Sequence, residues 1–173
     1  KDNYSFFLRI PGWSHGTTIS VNNHMIKEDV VSGSYLKITR KWKKGDVIEL
    51  NIPMSVELMQ ANPLVEENKN QVAVKRGPLV YCLESEDISP KANINNVVLD
   101  ANSDFETKEA SINNRYLVTI KTNAYVEITN WDNALYKSLS KDKKTVKLTL
   151  VPYFSWGNRS KGDMTVWLPF SFN

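Results

Sequence analysis

Apolar and polar residues alternate along this chain in short runs rich in β-branched and aromatic side chains, and Gly, Pro, Asn or Asp separates one run from the next. A period of two marks a strand with one buried face, and turn residues at such regular intervals mark antiparallel connections. The first group of predicted strands covers Tyr4 to Ile10, Thr18 to Asn22, Met25 to Val31, Tyr35 to Lys41 and Asp46 to Ile52. Asn22-Asn23 can adopt the positive φ of a tight hairpin, and Gly33 and Gly45 stand where two other loops need them. Pro53 and Pro63 bracket Met54 to Asn62, which reads as a strand and crossover, because proline is confined to edges and ends of strands.

A second group follows: Gln71 to Lys75, Leu79 to Glu84, Ile94 to Leu99, Arg115 to Thr122, Ala124 to Thr129, Thr145 to Val151 and Thr165 to Phe170. The polar run Glu84 to Asn93 and the cluster Lys141 to Lys144 read as exposed loops, and only Asn133 to Leu139 could form a short helical turn. The expected fold is therefore all-β, made of antiparallel, jelly-roll-like β-sandwich elements in two packed units. A boundary near residues 58 to 62 divides it into 1–60, a sandwich that begins abruptly, and 61–173, a C-terminal sandwich.

Composition narrows the function classes. At 173 residues, with 41% hydrophobic and 24% charged residues, the chain can bury a substantial core. The net charge of +3 comes from 22 basic and 19 acidic residues spread along the chain, with no basic stripe for nucleic acid. Apolar runs such as Leu79 to Leu83 fall far short of the roughly 20 residues of a membrane helix. Lys1-Asp2-Asn3-Tyr4 leads straight into a strand pattern without a signal-peptide architecture, so the sequence reads as a segment of a longer polypeptide, and no compartment is indicated.

Candidate chemistry is sparse. A lone cysteine, Cys82, excludes an internal disulfide or a multi-cysteine metal site and reads as a buried strand residue without a partner to lower its pKa. Glu66-Glu67 and Glu84, Glu86 and Asp87 are the densest acidic spots, and both read as solvated loops rather than the facing pair a glycosidase needs. His15 and His24 fall in turns, with no ligand spacing between them. The sequons at Asn3 and Asn158 carry no weight without a secretory context. Trp13, Trp42, Trp131 and Trp167 lie in or beside strands and read as core.

Two places are more informative. Arg76-Gly77-Pro78 fixes an unusual backbone beside a guanidinium, either as a strand-entering turn or as a contact with another domain. Tyr153, Phe154, Trp156, Gly157, Asn158 and Arg159 form an aromatic loop suited to a core or interdomain contact, or to stacking on a sugar ring.

Four patterns in order carry a family resemblance: Leu8-Arg9-Ile10-Pro11-Gly12-Trp13 with Val21-Asn22-Asn23; Tyr35 to Ile38 with Arg40, Trp42, Gly45-Asp46 and Ile52-Pro53-Met54; Val72-Ala73-Val74 with Arg76 to Glu84; and Val151 to Phe154 with Trp156, Asn158-Arg159, Met164 and Val166 to Leu168. Together they resemble the C-terminal β-sandwich region of glycoside hydrolase family 127, the β-L-arabinofuranosidase family. The resemblance implies a parent glycoside hydrolase whose active site, a zinc cluster of cysteines and a glutamate with a cysteine nucleophile and a glutamate acid/base, lies in an upstream helical toroid. None of that motif has a counterpart here, so no catalytic residue, metal ligand or cofactor is carried over. The expected role is a non-catalytic accessory region that buttresses the toroid, with Arg76, Tyr153, Trp156, Asn158 and Arg159 as possible interdomain or glycan contacts. The competing role is an autonomous carbohydrate-binding module for arabinose-containing plant glycans. Open strand edges in an incomplete first unit also predict self-association of the isolated segment.

Overall fold

The computed structural model describes residues 3–128, 131–138 and 142–172. Among them every regular element is a strand or a single 3-10 turn, and nearly all strand pairings are antiparallel. The chain divides into two compact units, Lys1–Ser55 and Val56–Asn173.

In the first unit β1 (Asn3–Arg9) pairs with β4 (Tyr35–Lys41), while β2 (Thr18–Val21) lies between β3 (His24–Met25) and β5 (Ile48–Asn51). The two sheets share one core of Ile10, Ile19, Val21, Leu36, Ile38 and Trp42. Asn22 and Asn23 adopt φ of 52° and 64°, as the β2–β3 hairpin requires. Asp46 is held below the ordinary carboxylate range, first by the Asn22 side-chain amide at 2.9 Å and then by the Lys43 backbone N–H. The strand expected over Met25 to Val31 stops at Met25, because Lys27, Glu28 and Asp29 stay in solvent and only Ile26 and Val30 reach the core.

The second unit begins with β6 (Val56–Gln60), which pairs with β7 (Gln71–Arg76). Gly77, with φ 55°, and Pro78 turn β7 into β8 (Leu79–Glu84). The remaining strands are β9 (Ile88–Ser89), β10 (Val97–Asp100), β11 (Glu106–Ile112), β12 (Arg115–Glu127), β13 (Lys143–Pro152), β14 (Met164–Thr165) and β15 (Trp167–Ser171). Here the expected stack of open sheets needs correction. β12 pairs with β10, β10 with β15, β15 with β7, β7 with β8, β8 with β13, and β13 returns to β12, so six strands close a ring. Only β10 and β15 run parallel. Closure removes edges that open sheets would expose, and the enclosed side chains, among them Val74, Tyr81, Leu83, Leu99, Ile120, Leu148 and Leu168, form one core.

Several expectations change with this closure. The runs expected at Arg115 to Thr122 and Ala124 to Thr129 are one strand as far as Glu127, since Asn123 keeps its place in the ladder opposite Lys147; Thr129 lies outside the described residues. β11 escapes a period-two reading because it is a largely exposed edge strand, held by β12 through a hairpin whose Asn113 and Asn114 have φ of 48° and 60°. The Thr165 to Phe170 run is split at Val166, where the chain leaves β8 and joins β7. Glu84 to Asn93 is an exposed loop only in part: Glu86, Ser89, Pro90, Lys91 and Asn93 are exposed, but Glu84 ends β8 in a buried position and Ile88 is in the core. Lys143 and Lys144 open β13, with Lys141 outside the described residues. Residues 133–138 form no helical turn, and Leu139 also lies outside. Of the four tryptophans expected in the core, Trp42 is buried, Trp13 and Trp167 are half-buried, and Trp131 is exposed with Lys137 over its ring.

Candidate functional site: a pinned aromatic loop

β13 ends at Pro152 and the chain makes a 3-10 turn over Tyr153–Ser155. Ser155 turns inward, and its hydroxyl donates to the Pro152 carbonyl at 2.7 Å. Gly157 continues at φ 71°, a left-handed conformation that a side chain would strain. The Asn158 amide donates back to the Ser155 carbonyl at 3.0 Å, and Asn113 of the β11–β12 hairpin donates to the Asn158 carbonyl. A small cavity of about 140 Å³ separates the two loops, lined by Ile112, Asn113, Arg115, Leu117, Ser155 and Asn158.

Beneath the loop the acidic residues from β8 and the turn after it converge on Arg159. Its Nη1 donates to Asp87 at 2.9 Å and its Nε lies 2.9 Å from Glu86, while Nη2 meets both Glu84 and Asp87. Glu84 uses its other oxygen to accept the Gly157 backbone N–H at 3.0 Å, and Glu86 accepts the Ser160 hydroxyl at 2.9 Å. Burial pushes the Asp87 carboxyl up against the opposing pull of Arg159, and the hydrogen bonds to Asp87 and then Glu84 raise the guanidinium pKa further. The reading of Glu84, Glu86 and Asp87 as solvated loop is therefore corrected: their charges answer one arginine more than 70 residues along the chain, a partner that local polarity does not reveal.

This anchoring leaves the aromatics of the loop outside. Tyr153 and Trp156 are 48% and 45% exposed, with ring centroids 6.3 Å apart and planes within 18° of each other, and Phe154 is exposed as well. Tyr153 also borders a shallow, open depression of about 520 Å³ lined by Val80, Met164, Thr165, Val166 and Trp167. The loop thus presents apolar, flat side chains on a backbone whose polar groups are satisfied from within, as a preorganised contact surface does. Arg76 stands at the end of β7, where its guanidinium hydrogen-bonds the buried Tyr81 phenol; Tyr81 in turn donates to the Val118 carbonyl at 2.8 Å.

The thiol of Cys82 is buried in β8, and desolvation, followed by the charges of Glu84 and Asp87, pushes its pKa up to about 12. Such a thiol is a poor nucleophile and a poor ligand at neutral pH. Iodoacetamide is expected to leave Cys82 intact in the folded protein and to alkylate it in urea, as read by mass spectrometry; rapid labelling without denaturant would contradict the burial. Among the described residues no three His, Cys, Asp or Glu side chains are grouped to hold a metal.

Comparison with known proteins places the geometry. Residues 1–54 match the family described as beta-L-arabinofuranosidase, GH127 middle domain, and residues 56–169 match the glycoside hydrolase family 127 C-terminal domain. A non-reducing end beta-L-arabinofuranosidase of Bifidobacterium longum subsp. longum is 35% identical, over 93% of this chain and 25% of its own. Among solved structures, a glycoside hydrolase matches 99% of the chain with a TM-score of 0.92 and 41% identity, over 28% of its own length. A GH127 beta-L-arabinofuranosidase from Geobacillus stearothermophilus T6 matches 98% with a TM-score of 0.88 and 32% identity, over 27% of its length. The chain therefore spans about a quarter of the length of these relatives.

Proposed function

Because this chain belongs to glycoside hydrolase family 127, through its middle and C-terminal domains, we propose that it is a non-catalytic accessory region of a larger β-L-arabinofuranosidase-like hydrolase. The first unit is then part of a middle-type domain, and the second is the C-terminal domain. The reading rests above all on the acidic residues of the second unit. A glycosidase needs two carboxyl groups facing across a sugar, one of them free to hold or deliver a proton. The densest carboxylates here are instead spent on one guanidinium, which makes them structural anchors.

In this reading the surface held up by those anchors is the working part. Tyr153, Trp156 and Asn158 meet the upstream catalytic domain of the same protein, Arg159 positions their loop, and Arg76 stiffens the hairpin through Tyr81. Flat aromatics with half their area exposed suit an interdomain contact, where an apolar body and a polar tip are both used. The test is an activity assay on an aryl β-L-arabinofuranoside. The chain alone should give no turnover, while Trp156→Ala in the complete enzyme should lower its thermal stability. Turnover by the chain alone, surviving chelation and repurification, would defeat the proposal.

The near-parallel Tyr153 and Trp156 rings favour one second reading, a stacking platform for arabinose-containing glycans. Calorimetric titration of this chain with arabino-oligosaccharides separates the two. Binding abolished by Trp156→Ala, with the fold retained, supports a carbohydrate-binding module; no heat at millimolar glycan removes it.

A further inference from the structure

We propose that the cavity between the β11–β12 hairpin and the aromatic loop is a binding site for a sugar acid, a single pyranose ring bearing a carboxylate. Its walls are fixed on both sides. The hairpin turns on Asn113 and Asn114 in left-handed conformations, and the loop is anchored through Glu84 and Arg159. The Asn113 side-chain amide clasps one wall to the other at the Asn158 carbonyl. At about 140 Å³ the space lies well under the roughly 300 Å³ at which pockets for larger ligands begin, and it suits one ring.

The lining offers three chemistries. Ile112 and Leu117, both half-buried, supply aliphatic surface of the kind that packs against the C–H face of a sugar. Asn113 and Asn158 spend their amide N–H groups on protein carbonyls, Asn113 on Asn158 and Asn158 on Ser155. Among the described residues the side-chain oxygens of these two asparagines have no partner, so each remains an acceptor for a ligand hydroxyl.

Arg115 supplies the third. Among the described residues it forms no ion pair, and no acidic side chain lines the cavity. Arg159 nearby is already matched by three carboxylates. A guanidinium presents a planar fork that a carboxylate fills with two parallel hydrogen bonds. A neutral pentose would leave that fork unused, and a plain carboxylate would leave the amide oxygens and the apolar wall unused. A uronic acid uses all three. The site goes beyond both the accessory and the stacking readings, since neither Tyr153 nor Trp156 lines it.

An NMR titration of this chain, with isoleucine and leucine methyls labelled, tests the assignment against galacturonic acid, galactose and acetate at neutral pH. Galacturonate should shift the Ile112 and Leu117 methyls and saturate at millimolar concentration. Galactose and acetate should each bind about tenfold more weakly, the factor that hydrogen bonds to a charged group contribute. Arg115→Gln, at an exposed position outside the core, should bring galacturonate down to the level of galactose, whereas Trp156→Ala should leave its affinity unchanged. Equal affinity for galactose or acetate would overturn the proposal, as would full affinity in Arg115→Gln or methyls that stay still in excess galacturonate. Loss of binding in Trp156→Ala would put the ligand on the exposed rings instead and would overturn it too.

Discussion

Arg159→Met is expected to destabilise the second unit by about 3 to 5 kcal/mol near neutral pH, the range found when one partner is removed from a buried ion pair. The side chains of Arg159, Glu84 and Asp87 are all largely out of solvent, and every guanidinium nitrogen faces a carboxylate. Methionine would fill much of the volume but leave those carboxylates uncompensated in a site too dry to hydrate them. Lysine should rescue only part of the loss, because a point charge cannot reproduce the planar fork that reaches three acidic groups at once.

The loss should depend on pH in a defined direction. Burial raises Asp87 above its ordinary value even with Arg159 present, so its folded form holds a proton more tightly than the unfolded chain does. Such a group favours folding below its unfolded pKa, and that contribution fades as pH rises through the raised folded pKa. Without the guanidinium the carboxyl would rise further, and in acid, once protonated, it would need no counter-charge. The gap between the wild-type chain and Arg159→Met should therefore be larger at about pH 7 than at about pH 4. Urea unfolding followed by tryptophan fluorescence at the two pH values measures it; an equal gap at both would mean that the carboxylates are not what Arg159 stabilises. Loosening of Glu84 should also release its hold on Gly157, so that Tyr153 and Trp156 lose their fixed presentation.

Leu148→Ala is expected to cost about 2 to 5 kcal/mol, as truncation at a sealed core position does. Leu148 is fully buried at the middle of β13, opposite Thr122 on one side and Ile88 on the other. β13 is the strand that shuts the ring between β8 and β12, so the surrounding backbone has little freedom to collapse into the void. The shift in denaturant midpoint at unchanged slope reads the effect. A loss below about 1 kcal/mol would show that the closed ring repacks easily, against the rigidity that closure implies.

Much of this architecture is legible along the chain. The strands Tyr35–Lys41 and Leu79–Glu84 have the bounds that alternation and turn residues predict, and the asparagines at 22 and 23 take the positive φ of their hairpin. The aromatic loop stands out for its composition. β11 does not, because an edge strand with little buried surface has no apolar period to read, and its Asn113-Asn114 turn is visible only beside a recognised strand.

The all-β class, the strand-by-strand rhythm and the family signature are properties of neighbouring residues, since pleat and turn chemistry act over two to four positions and leave their mark in the order of side chains. Closure of the second unit's sheet, the convergence of Glu84, Glu86 and Asp87 on Arg159, and the cavity between the β11–β12 hairpin and the aromatic loop arise only when segments far apart meet. Coulomb attraction and burial depend on distance in space, which chain order does not encode locally. The same acidic run that looks like a solvated loop in one dimension becomes, in three, the buried footing of the loop that carries Tyr153 and Trp156.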